Sequence, residues 1–307
     1  MKVREVRIGT RGSALAVAQA NLVATALEAV GARVRLVIVE TSGDRRDQDT
    51  PWGEGAFVAG IEAELLAGTI DIAVHSAKDL PTTEDPRLRI GAYLARADSR
   101  DALVTREGFG SSVEDLPRGA RVGTDSPRRT GFLLARRPDL HVHPLHGNVD
   151  TRLRRLDDGE TEALVLACAG LDRLGLGGRI AQRIPPEVMP PAAGQGAIAV
   201  QVRSMEGELI DMCAKSDHLP TRVAVEFERA FLAASGGGCR SPIGAFATCF
   251  DHEVDLFGGY VGTDGSDARF GRVRGASSDG DQTVRGLLAI LGAAPAVAVQ
   301  EATVIAT

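Results

Sequence analysis

Along this chain, short strand-like apolar runs alternate with longer stretches that carry a helical stripe. Residues 6–9 read as a strand. Leu15, Ala18, Leu22, Ala26 and Val30 then form one stripe of a helix over 13–30. A second strand is expected at 34–39, and the polar, Gly- and Asp-bearing stretch 41–55 is a loop. A helix over 56–66 leads to buried strands at 70–74 and 88–94.

A second block repeats this order. A strand ends at 121–123 and a helix spans 127–136, with Ser126 as its N-cap and Pro127 in its first position. Strand 141–143, helix 149–156, strand 163–167 and a short helix beginning at 171–174 follow. This alternation predicts α/β blocks, each with a largely parallel sheet. Pro185-Pro186 and Pro190-Pro191 mark a hinge, after which 193–202 could return to the first block. From about residue 219 the pattern becomes α+β. A helix at 222–234 precedes three antiparallel strands (243–250, 254–261 and 268–274), a helix at 284–291 and a last strand at 297–304. The expected division is 1–95 with 197–215, then 99–190, then 218–307.

The chain has 307 residues, more than a single core usually supports, which fits two or three domains. Residues 1–5 lack an apolar signal core and no apolar run approaches the ~18 residues of a membrane span. A cytoplasmic location without a membrane partner is therefore expected. The net charge of −6 argues against a nucleic-acid partner. Positive charge is nevertheless concentrated: between Arg118 and Arg155 nine Arg stand against three Asp (Asp125, Asp139, Asp150), a local net of +6. This stretch is either a solvated basic face or an anion site. The only lysines are Lys2, Lys78 and Lys215, beside 32 arginines. The four cysteines (Cys168, Cys213, Cys239 and Cys249) form no CxxC and have no His at zinc spacing, so neither disulfides nor a metal are expected.

Both blocks contain a strand that ends in Gly-Thr and is followed by Arg and Ser as a helix begins. One is Gly9-Thr10-Arg11-Gly12-Ser13 and the other Gly123-Thr124-Asp125-Ser126-Pro127-Arg128-Arg129. Helix N-termini present free N–H groups, and hydroxyls and Arg forks beside them make carboxylate cradles. His75-Ser76-Ala77-Lys78-Asp79 and His146-Gly147-Asn148-Val149-Asp150-Thr151-Arg152 are similar junctions. Simple capping would explain any one of them. Together they predict a basic cleft at the carboxyl ends of the strands.

Two residues stand out from that pattern. Asp79 is an acid among cations. It either pairs with one of them or accepts N–H groups from a ligand and steadies a developing positive charge. Cys239 follows Gly236-Gly237-Gly238 and precedes Arg240, which would favour a thiolate. It is either an ordinary loop cysteine or a point of covalent attachment.

These segments together resemble the porphobilinogen deaminase (hydroxymethylbilane synthase) family. The matching motifs are 8–13, 73–81, 122–129, 147–152, 169–175, 191–196 and 237–244, in order over nearly the whole chain. The resemblance implies two α/β lobes like type II periplasmic binding proteins plus a C-terminal α+β domain. It also implies a monomeric enzyme of tetrapyrrole biosynthesis whose partners are porphobilinogen and the growing oligopyrrole. Its dipyrromethane cofactor would be thioether-linked to Cys239. Asp79 matches the catalytic aspartate. Lys78, Thr124, Ser126, Arg128 and Arg129 match cofactor-binding residues, and Arg11, Ser13, Arg152, Arg173 and Gln195 match the substrate side.

The chain departs from the family pattern at two places. His146 stands where many relatives carry Arg, which implies a weaker carboxylate seat, and Glu54 and Ala59 stand where many carry lysines. These departures leave two other readings, a paralogue that binds pyrrole carboxylates without full catalysis and a non-enzymatic two-lobed receptor for a small anion.

Overall fold

A computed structural model describes residues 5–41, 58–238 and 240–292. Most of the 41–55 loop with Glu54, the expected start of the helix at 56–57, Cys239 and the expected strand 297–304 lie outside the described residues.

The first lobe begins with β1 (Glu5–Thr10), α1 (Ala14–Ala29), β2 (Arg33–Ile38), α2 (Ala59–Ala67), β3 (Ile72–Ser76) and β4 (Leu88–Tyr93). Helix α1 forms over the expected span, but its buried face is Ala20, Val23 and Leu27 rather than the predicted stripe, of which Leu22 is exposed. The second lobe contributes β5 (Asp101–Thr105), β6 (Arg121–Gly123), α3 (Pro127–Arg136), β7 (His141–His143), α4 (Val149–Asp157), β8 (Ala163–Ala167), α5 (Cys168–Arg173) and β9 (Gln182–Ile184). The chain then returns through β10 (Ile198–Arg203) and α6 (Gly207–Ala214).

Each lobe is built on a five-stranded sheet, ordered β2-β1-β3-β10-β4 in the first and β7-β6-β8-β5-β9 in the second. The sheets are mixed where largely parallel ones were expected. Strands β1, β2 and β3 pair in parallel, as do β6, β7 and β8. Strand β10 is antiparallel to both β3 and β4, and β5 to both β8 and β9. The two antiparallel strands adjoin the stretches in which the chain crosses from one sheet to the other, 94–100 outward and 185–197 on the return. Strands β5 and β9 and helix α6 were absent from the sequence reading. These elements are only three to eight residues long, too short for a period to stand out. Helix α5 starts at Cys168, three residues before the expected position, because its first turn is buried on all sides.

The third unit has α7 (Leu219–Ala234), β11 (Ile243–Phe250), β12 (Glu253–Tyr260), β13 (Arg269–Ala276) and α8 (Gly280–Leu291). Its three-stranded antiparallel sheet packs one face on the two helices, with Phe231, Leu256, Tyr260 and Leu287 at the centre. The Phe231 and Tyr260 rings stack with centroids 5.7 Å apart. Among the described residues no helix is long and apolar enough to cross a membrane.

A buried carboxylate joins this unit to both crossings. Glu228, on α7, is fully buried and accepts from both terminal nitrogens of Arg96 at 2.6 and 2.9 Å. It also accepts from the backbone N–H of Gly194 and of Ala247, both at 2.7 Å. Nearby, Gly244 sits against the Pro190 carbonyl, where a Cβ would lie 2.3 Å from the oxygen. Removing the Glu228 carboxylate strands the Arg96 charge and two buried donors. We expect Glu228→Ala to lower unfolding free energy by about 3–5 kcal/mol. Chemical unfolding of the full chain checks this, and a loss under about 1 kcal/mol would mean that the junction does not depend on the pair.

Candidate functional site

The strand-to-helix junctions of the two lobes face each other across a cleft of about 340 Å3. Its walls include Arg11, Ser13, Lys78 and Asp79 from the first lobe and Ser126, Arg128, Arg129 and Arg152 from the second. Gln195 reaches it from the return crossing, and Arg240 from the third unit.

Local structure fixes each of these side chains. Ser13 caps α1 and Ser126 caps α3, their hydroxyls accepting from the N–H groups of Ala16 and Arg129 at 3.3 and 3.4 Å. An accepting hydroxyl keeps its own proton to donate, so capping and anion binding are compatible. Lys78 and Asp79 lie in a single 3-10 turn, Ala77–Asp79, at the end of β3. Gly147 adopts φ 115°, which places the N-terminus of α4 at the cleft.

The second-lobe arginines are organised by a residue the sequence did not single out. Asp101, at the start of β5, is fully buried. It accepts from Arg128 at 2.7 Å, from Arg129 Nε at 2.9 Å and from Gln195 Nε2 at 2.9 Å. Burial opposes its ionisation, but Arg128 and Arg129 overcome that and hold its carboxyl well below the usual range. Gln195, also fully buried, turns its Oε1 toward Lys78 at 3.1 Å and Arg129 at 3.4 Å. Two guanidinium nitrogens, Nε of Arg128 and Nε of Arg152, are buried and find no hydrogen-bond partner among the described residues.

The charges in the cleft are finely balanced. Burial, then the neighbouring Arg129, brings Lys78 down to about 8, against the pull of Asp79 and Asp101. Burial pushes Asp79 up, while Lys78, Arg11 and Arg129 pull it back. Burial also lowers Arg152 and Arg173 to about 10.

The expected site residues fall into two groups. Arg11, Ser13, Lys78, Asp79, Ser126, Arg128, Arg129, Arg152 and Gln195 come together around the cleft. Thr124, His146 and Arg173 stand behind it. Thr124 accepts from the Ser126 N–H at 3.4 Å, and Arg173 donates to the Gly196 carbonyl at 2.6 Å. His146 is buried with its Nδ1 2.9 Å from Asp125. Sequence reasoning missed Asp101 and also Gln19, whose amide donates to Ser76 at 2.8 Å in the cleft wall. The helical stripe of α1 was the one signal near Gln19, and it marks apolar positions only.

Residues 6–211 match the family model described as porphobilinogen deaminase, dipyromethane cofactor binding domain, and residues 222–284 match the porphobilinogen deaminase C-terminal domain. The chain belongs to the porphobilinogen deaminase family. Curated relatives of that name include one from Roseiflexus sp. (strain RS-1), 46% identical over 277 residues that span 89% of this chain and 90% of the relative. Another, from Acidothermus cellulolyticus, is 45% identical over 294 residues, 93% of this chain and 88% of the relative. The match does not favour the impaired-paralogue or receptor readings. A substrate-binding domain of a putative amino acid ABC transporter from Streptococcus pneumoniae is a structural neighbour, with TM-score 0.45 and 15% identity, covering 76% of this chain and 95% of that one.

The cofactor of this porphobilinogen deaminase family member is a dipyrromethane, and the residues present fit it. A dipyrromethane built from two dicarboxylate pyrroles brings several carboxylates, and the orphaned Nε donors of Arg128 and Arg152 are groups that such carboxylates would satisfy. The Lys78 charge in that wall is present below about pH 8 and lost above it. With lysine-selective 13Cε labelling, one of the three lysine signals is expected to titrate with a midpoint near 8 in the cofactor-free chain and to be absent in Lys78→Met. If all lysine midpoints lie near 10, the balance described above is wrong.

Proposed function

We propose that the chain works as hydroxymethylbilane synthase, the transferase of tetrapyrrole and heme biosynthesis that condenses four porphobilinogen molecules into a linear tetrapyrrole. In this reading 1–95 with 197–215 and 99–190 are the two lobes that enclose the reaction, and 218–307 carries the cofactor on Cys239. Arg240, next in the chain, lines the cleft, which supports attachment at that position. When bound, the dipyrromethane supplies a free pyrrole α-carbon as the first nucleophile.

At each addition the aminomethyl C–N bond of porphobilinogen breaks, and the electron pair leaves with nitrogen as ammonia after a proton is taken up. The ring nitrogen supplies the electrons that replace it and becomes cationic. The free α-carbon of the primer, held by Lys78, Thr124, Ser126, Arg128 and Arg129, would supply the electrons for the new C–C bond and would lose its proton. After four additions the bond from the first added ring to the primer would break with a proton returned to the primer's α-carbon, and water would add to the freed cationic carbon, losing a proton, to give the linear product.

The observation that carries this reading is the state of Asp79. It is a half-buried carboxylate in a cationic cleft, and it makes no hydrogen bond among the described residues. Both its oxygens are open to pyrrole N–H groups, and its charge is placed to stabilise the cationic ring. Lys78, Thr124, Ser126, Arg128 and Arg129 would hold the cofactor carboxylates. Arg11, Ser13, His146, Arg152, Arg173 and Gln195 would serve the incoming ring, with Thr124, His146 and Arg173 acting from behind the wall.

Two measurements test the proposal. The intact mass of the protein is expected to exceed the sequence mass by one dipyrromethane, and Cys239→Ala should abolish the increment. An unmodified chain that leaves porphobilinogen untouched would overturn the assignment. Asp79→Asn should keep the added mass and lose about 10²–10⁴-fold in turnover. Near-normal turnover would remove Asp79 from the chemistry.

A further inference from the structure

The second-lobe wall holds a negative charge at a place where carboxylates are to be bound. Asp125 lines the cleft in the turn between β6 and α3, and its Oδ2 lies 2.9 Å from His146 Nδ1. That ring nitrogen is buried and has no aligned hydrogen-bond partner among the described residues. Arg152, on the neighbouring α4 and also in the wall, keeps its buried Nε unpartnered. Other charged groups near this corner, among the described residues, include Arg129 from α3 and Asp150 and Arg155 from α4. Arg155 donates to the His146 carbonyl at 3.4 Å and pairs with Glu160. Burial, Arg129 and Arg155 all work against the Arg152 charge, while Asp125 supports it.

The geometry points to Asp125 as an internal counter-ion of the second lobe's carboxylate seat. Beside His146 and Arg152 it takes the place of a ligand carboxylate, and so lowers the affinity of the cleft for each one that arrives. The inference rests on the proposed use of the cleft for pyrrole carboxylates. An anion approaching the free Arg152 Nε meets a like charge already in position. Every added ring brings two more carboxylates, so a wall of unopposed cations would hold the product as firmly as it held the substrate. A fixed aspartate tempers that grip without removing the cations that orient each ring.

The experiment uses the full-length, cofactor-loaded chain. Asp125→Asn is expected to lower KM for porphobilinogen about three- to tenfold, the effect of one partly buried charge pair, without raising kcat. Succinate, as a dicarboxylate probe, should protect the variant from thermal unfolding at a correspondingly lower concentration. Asp125→Glu should behave as the parent does, and in an Arg152→Gln background Asp125→Asn should leave KM unchanged. Asp125→Ser serves as the second variant should the amide fail to fold. An unchanged or raised KM, with succinate protection unmoved, would overturn the inference. A chain that never consumes porphobilinogen would instead overturn the proposed function, and the succinate titration would still decide the role of Asp125.

Discussion

The cleft depends on a carboxylate that does not line it. Asp101 is buried behind the wall and accepts from Arg128, Arg129 and Gln195. Two guanidinium groups, both buried, could not sit side by side at the head of α3 without it, because each would carry an uncompensated charge out of water. With Asp101 in place the trio nets one positive charge (two arginines less one aspartate), and the arginine forks are held in position before any anion arrives. Fixed donors of this kind need no reorganisation when charge appears between them. This is why the wall is made of arginines braced from behind rather than of long cations free in solvent.

The same carboxylate also lies where the two sheets communicate. Asp101 opens β5, directly after the outward crossing, and its partner Gln195 belongs to the return crossing. Through Gln195 the network reaches Lys78 in the first lobe. Arg96, in the outward crossing, donates to the Gln195 carbonyl at 2.8 Å and forms the ion pair with Glu228. Glu228 in turn binds the backbone of β11, while its own helix α7 lies on the other side of position 239. The elements flanking position 239 and the walls of the cleft therefore share the same two crossings. Any change in the angle between the lobes has to pass through these stretches, and so through one connected set of polar contacts.

Much of this was legible in the sequence. Helix α3 begins and ends at the expected residues because Ser126 and Pro127 are local signals, acting within one turn of where they stand. Strands β6, β7, β8 and β11 likewise match their apolar runs. The basic cleft was visible as repeated junctions of Gly, Ser and Arg. The braces were not visible. Asp101 meets its arginines across 27 and 28 positions, and Glu228 meets Arg96 across 132, distances over which no spacing rule reads. The antiparallel turn of β5 and β10 was hidden for a similar reason, since strand direction is decided by where the chain crosses. His146 was read as a weak member of the cleft wall. The structure places it behind the wall and against Asp125, a partner 21 positions earlier that local reading treated as one more loop acid.

Three of the aspartates around this cleft, Asp101, Asp125 and Asp79, differ in what the fold has already given them. Asp101 is saturated by arginine and amide donors, so it can organise the site but has no capacity left for a ligand. Asp125 is half committed, its Oδ2 set 2.9 Å from His146 Nδ1 and its charge supporting that of Arg152. Asp79 alone of the three makes neither a hydrogen bond nor an ion pair among the described residues, and burial raises its carboxyl while Lys78, Arg11 and Arg129 pull it back. Lys78, next to it in the same turn, is drawn the opposite way by the same burial. Each charge relieves part of the other's desolvation, so neither is held as firmly as in a saturated pair. A pyrrole N–H or a cationic ring entering beside Asp79 therefore meets an acceptor whose capacity the protein has left unspent.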